Sequence, residues 1–382
     1  MRMRSTRAAA LLALVLLLCG CSHGMAPVAF HAEGRPAKLS DWHVVEVQDD
    51  RLVLNQGVLP YDLNTPLFTD YAHKLRTVWM PKGTSAKYDA SDSFDFPVGT
   101  VISKTFYYPR TAEGKAGDVA RTDDYSHDFA GEGLDLKHVR LVETRILVRR
   151  QDGWAAIPYV WNEAQTEATL QRTGAVLPLT LVDTAGAREG FNYVVPDESQ
   201  CQSCHAQDWV DRKIHPIGPK ARHLNKDYAY AAGAENQLAH WTRVGYLSGA
   251  PVPAHAPRDA NWADERAPLD ARVRAYLDIN CGHCHNARGA ANTTGLTLDW
   301  RTPEDRHLGL CKPPTAAGQG TGDRLFDIVP GQPDASIITY RLESTEPGVM
   351  MPELGRSTSH REGVALIRAW IASQQGGCVA IH

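Results

Sequence analysis

Two short segments, Cys201-Gln202-Ser203-Cys204-His205 and Cys281-Gly282-His283-Cys284-His285, share the spacing C-x-x-C-H. They constrain the chain more than any hydrophobic run does, because the fold must leave room for whatever these side chains hold. With 8 Cys and 16 His in 382 residues, chance supplies about 0.007 such windows, so a pair of them is not an accident.

Chemistry explains the spacing. Two thiols three positions apart can add to both vinyl groups of one haem, and the histidine that follows is carried under the iron as its proximal ligand. The expectation is therefore two haem c groups, with Cys201, Cys204, Cys281 and Cys284 as covalent anchors and His205 and His285 as axial ligands. The four cysteines could instead form a four-thiolate zinc site or redox dithiols, but neither uses a histidine directly after each pair.

At the N-terminus, Arg2, Arg4 and Arg7 precede an apolar run over residues 8–18 that is too short to span a bilayer, which reads as an export signal over residues 1–20. The stretch Leu18-Cys19-Gly20-Cys21 resembles the bacterial lipobox. That resemblance implies lipidation of Cys21, a tether over residues 21–37 and, with Ser22 following, an outer-membrane anchor facing the periplasm of a Gram-negative bacterium; an ordinary signal-peptidase site with Cys21 as a spare thiol is the alternative. A net charge of −4 without a Lys/Arg cluster excludes a nucleic-acid partner. The partners expected are redox proteins of the cell envelope and, through the anchor, the membrane.

Residues 38–195 read as β-rich. Apolar and polar residues alternate on both sides of Asp152-Gly153, a turn pair that favours a tight hairpin, and residues 42–47 and 100–109 are rich in β-branched and aromatic side chains. An antiparallel β-sandwich or barrel-like domain follows. Its acidic stretch, with Asp118, Asp123, Asp124, Asp128, Glu132 and Asp135, lacks the EF-hand spacing and reads as a solvated loop. No catalytic motif appears there. After Pro196 helical periodicity takes over in residues 234–247, 269–280 and 360–374, so mostly α-helical haem domains are expected: a first unit over 196–250, a linker over 251–264 and a second unit over 265–382.

The second unit resembles the small soluble cytochrome c class: LDARVRAYLDIN runs into the motif, VMMPELG matches the methionine loop and HREGVALIRAWIASQ matches the closing helix. The resemblance implies Met351, directly before Pro352, as the sixth ligand of the second haem, with Met350 second in line, and a higher potential for that haem. IGPKARHLN resembles the loop whose proline carbonyl holds the proximal imidazole, which implies that part for Pro219. No methionine lies near the first motif, leaving His215, His223 or His240 as distal ligand, His240 preferred, or an open position. Cys311 and Cys378 flank the second unit in an oxidising compartment and are a candidate disulfide.

Across residues 38–380, segments such as LFTDYAHKLR, FPVGTVISKTFYY, ETRILVRR and VMMPELGRS resemble a family of bacterial dihaem c-type cytochrome lipoproteins of unassigned role with an N-terminal β-domain. This implies membrane-tethered periplasmic electron transfer. The alternative is a dihaem peroxidase-like oxidoreductase whose first haem is open or switchable.

Overall fold

The computed structural model describes residues 24–379 apart from residues 207 and 316. The export signal and Cys21 lie outside the described residues. Among the described residues no helix is long and apolar enough to cross a membrane.

The centre of the fold is a six-stranded antiparallel meander: β1 (Leu59–Tyr61), β2 (His73–Trp79), β3 (Val101–Pro109), β4 (Val139–Arg150), β5 (Gly153–Trp161) and β6 (Ala168–Leu170), each paired with the next. The β4–β5 turn falls at residues 150–153, where the Asp-Gly pair predicts it. Because side chains alternate across a strand, the sheet has two differently built faces. One presents Leu75, Tyr107, Ile146, Val148, Ile157 and Tyr159 to a core shared with Trp42. The other carries Val78 and Ile102, packed with Met80, Phe94, Phe96 and Trp241. A four-stranded sheet, a three-stranded sheet and two two-stranded pairs complete the set of five.

The expectation of mostly α-helical haem units is wrong. Strand occupies 27% and helix 20% of the molecule. Past residue 196 the helices are α1 (Glu198–His205), α2 (Ala221–Leu224), α3 (Gln237–Arg243), α4 (Leu269–Asn280), α5 (Ile337–Glu343) and α6 (Arg361–Ser373), separated by loops and by the hairpin Asp227–Tyr230/Gly233–Asn236. Residues 234–236, read as helical from their periodicity, are strand instead, and α3 begins only after the Asn236 cap. The periodicity there records burial rather than a long helix: Leu238 and Trp241 of α3, with Ala221 and Leu224 of α2, enter the same core as Val78 and Ile102 of the sheet. Leu247–Ser248 even adds a parallel strand to Ala86–Lys87. The first unit therefore has no core of its own.

Helices α4 and α6 do pair, burying Val273, Tyr276, Leu277, Ile367, Trp370 and Ile371 together. This helical pair is tied to the β-region through Asp70, whose Oδ1 accepts from the Ser357 and Thr358 amides, both at 2.7 Å, and from the Thr358 hydroxyl at 2.9 Å. Replacing Asp70 by Ala strands three donors, so we expect a loss of about 2–4 kcal/mol in urea denaturation; unchanged stability refutes this account of the junction.

Candidate functional site

The two C-x-x-C-H segments reach one place from opposite directions. Helix α1 starts at an Asp197/Gln200 capping box, with the Gln200 amide donating to Asp197 at 2.7 Å and the Asp197 amide donating to Gln200 at 3.0 Å. It ends at His205, so the first motif is helical throughout. The second motif follows α4 and keeps one helix-like turn, the His285 amide donating to the Cys281 carbonyl at 2.9 Å. Gly282 permits this turn, since a Cβ there would stand 2.8 Å from the Asp278 carbonyl and 2.9 Å from the Asp299 Cα.

Both motifs line a single cavity of about 690 Å³, within the range of about 300–1,000 Å³ usual for cofactor sites. Cys201, Cys204, Cys281 and Cys284 all carry free thiols. The segments touch: the sulfurs of Cys204 and Cys284 and a His283 ring nitrogen lie within 4.8 Å of one another, and the Trp209 amide donates to the Arg288 carbonyl at 2.9 Å. Hydrogen bonding from Cys284, with His283 adding to it, favours the thiolate at Cys204. Cys201 and Cys281 lie outside this three-residue group, so the four cysteines do not assemble as a four-thiolate site.

The two histidines are held neutral. Burial pushes His205 down to about 4, and its Nδ1 donates to the His215 carbonyl at 2.8 Å, which leaves Nε2 as the coordinating nitrogen. Thus His215, not Pro219, supplies the orienting carbonyl; the Pro219 carbonyl accepts from the Phe94 amide at 3.4 Å. Burial takes His285 to about 4 as well. Its Nδ1 closes no hydrogen bond of normal geometry, although the Leu296 backbone favours the charged ring.

Met351 lines the cavity and Met350 is not among the lining residues. The Met351 loop is set by Arg356, whose buried guanidinium donates to the carbonyls of Arg341 (3.1 Å), Ser344 (2.8 Å), Met351 (3.0 Å) and Thr358 (3.0 Å). His240 is elsewhere: it bonds Glu235 at 2.7 Å, stacks on Tyr230 at 3.5 Å and does not line the cavity. The preference given to it above, for a residue in a segment read as helical, does not bring it to the cavity. Of the histidines named for the first motif, His223 does line the cavity. Cys311 and Cys378 form a disulfide, S–S 2.12 Å.

Sequence reasoning missed two groups. One is a buried cluster in which Asp278 accepts from Arg222 Nε (2.9 Å) and Nη2 (2.7 Å) and meets His223 Nε2 at 3.1 Å, with Asp259 3.4 Å from that nitrogen. Asp278 stays well below the ordinary carboxylate range; burial opposes this, but His223 and Arg222 prevail. Asp259 is raised to about 7 by burial and by Asp278. The other group comes from the β-sheet, which contributes Lys74, Arg76, Lys104 and Arg145 to the cavity wall. Burial, with Arg145 and Arg76 beside it, lowers Lys104 to about 7. Arg145 keeps its charge: burial opposes it, but Glu143 binds the guanidinium in two places. A lone Lys or Arg in an alternating strand looks solvent-facing, and only the covering units bury it.

Comparison with family models, curated proteins and solved structures finds no match at any of the three levels.

Burial pushes His223 down to about 4, against an ordinary value of 6.5. The stability it contributes is complete above pH 6.5 and is lost as pH falls towards 4. We expect urea midpoints to drop more between pH 7 and pH 5 for the wild type than for His223→Gln. Equal drops show that another group carries the acid sensitivity.

Proposed function

We propose that this chain is a dihaem c-type cytochrome that passes single electrons in a cell envelope, tethered to the membrane through Cys21. The observation that carries the reading is that both C-x-x-C-H segments open onto one cavity, with their four thiols free and the His205 ring already oriented by a backbone carbonyl. A haem attached at each pair supplies a one-electron couple.

The residues of the chain do the rest. Cys204 and Cys284 stand close together, so the two segments that would hold the haems are neighbours. His205 keeps Nε2 unprotonated through its bond to the His215 carbonyl, and burial keeps the His285 ring neutral. Met351, on a loop fixed by Arg356, offers a thioether that favours the reduced form of the second haem.

The test is the haem content of protein expressed with a c-type maturation system. Two haems per chain by pyridine haemochrome, falling to one in Cys201→Ser/Cys204→Ser and in Cys281→Ser/Cys284→Ser, are expected; no covalent haem refutes the reading. A second reading is favoured by the Cys204/His283/Cys284 group, which could hold a zinc ion as part of a closed site. Stoichiometric zinc without iron would establish it.

Whether the protein carries electrons or turns over peroxide is decided by electron paramagnetic resonance of the oxidised protein. Low-spin signals indifferent to peroxide or cyanide fit a carrier, whereas a ligand-sensitive high-spin signal moves the peroxidase-like alternative ahead. In the same spectra Met351→Ala should convert one haem to high spin and lower its midpoint potential; an unchanged spectrum removes Met351 from the iron.

A further inference from the structure

The wall opposite the motifs is a patterned surface. In register across β2, β3 and β4, Arg76, Lys104 and Arg145 stand side by side, since Lys104 pairs with Arg76 on one flank and with Arg145 on the other. Like charges directly opposite one another destabilise a sheet, and burying them adds a desolvation cost. Two of the three have carboxylate partners: Arg76 meets Asp62 at 3.1 Å, and Arg145 meets Glu143. Lys104 has none among the described residues, and its ammonium sits 5.1 Å from the Phe106 ring, over which Arg145 also lies at 4.4 Å. One row along the same face, Ile102 stands opposite Leu147, and both line the cavity. An apolar row beside a cationic row fits a flat apolar molecule that carries acid groups on one edge.

Position assigns the row to the first motif. Helix α1, which carries Cys201 and Cys204, packs against β5, the strand next to the one that bears Arg145, and Lys104 and Arg145 line the cavity together with both cysteines. We propose that Lys104, flanked by Arg145, is a carboxylate-binding site whose occupant is the acid side chains of the haem attached at Cys201 and Cys204; this rests on the dihaem reading above. A free organic acid bound beside that haem has the same chemistry and is the other source to separate. Glu143 acts on Lys104 but is engaged by Arg145, so the incoming carboxylate supplies the direct ion-pair partner that Lys104 lacks among the described residues, and the β-domain thereby becomes half of the first cofactor site.

A cation beside a haem disfavours its oxidised form and so raises its potential. The experiment is a spectroelectrochemical titration of the full haem-loaded protein, wild type, Lys104→Gln and Lys104→Arg, each with and without succinate, and with haem counted on every sample. We expect two haems in each, a downward shift of one midpoint in Lys104→Gln, its recovery in Lys104→Arg, and no response to succinate. A succinate response in wild type that is lost in Lys104→Gln assigns the site to a free acid. Two haems with both midpoints unmoved in Lys104→Gln, and no succinate response in wild type, overturn the inference and leave the dihaem reading standing; no haem in wild type overturns both. Should Lys104→Gln fail to accumulate, Lys104→Met is read in the same way.

Discussion

The arrangement depends on one buried carboxylate. Asp278, one turn before Cys281, accepts from Arg222 and His223 through Oδ2 and from the Trp300 amide through Oδ1 at 3.0 Å. Arg222 in turn donates to the Ser91 carbonyl of the β-region at 2.7 Å. Asp278 and Arg222 together thus join the segment carrying the first motif, the segment carrying the second and the β-region. A buried ion pair contributes little net stability against an apolar isostere, but breaking one partner is severe. Its value here is specificity: it holds two distant pieces of chain in one register, which is how motifs 80 positions apart come to share a cavity. Asn280 reinforces this, accepting from the Phe68 amide at 2.8 Å.

The β-domain is a working part of the site. Its main sheet turns one apolar face to its own core and the other to the motif segments. That second face is mixed, with Ile102 and Leu147 beside Lys104 and Arg145, and burying such a face calls for partners to its charges, which Glu143 supplies for Arg145. The same logic explains why α2 and α3 remain short. Their apolar residues, above all the fully buried Trp241, are satisfied by the sheet rather than by a partner helix, so nothing selects for further turns.

Much of the β-region was legible because its signals are local. The Asp152-Gly153 turn and the alternation around it predict the β4–β5 hairpin, and the 3.6-residue periodicity of residues 269–280 and 360–374 predicts α4 and α6. The helical character expected of the whole C-terminal half was not there to read, because the apolar residues of 234–247 answer to a sheet remote in sequence. For the same reason His240 looked like a ligand and is instead a partner of Glu235, while Pro219 yielded its part to the His215 carbonyl.

What the sequence by itself determined is which groups each motif brings together, two thiols three positions apart and an imidazole directly after the second: so few residues apart, they stay within reach of one another in any fold, since the length of the backbone limits their separation. The tertiary structure alone decided that the two motifs meet, that Met351 rather than Met350 reaches their cavity, and that Lys104 and Arg145 face it. Those are relations between strands and loops up to 200 or so residues apart. They arise from which faces become buried together, a property that no short window of sequence contains.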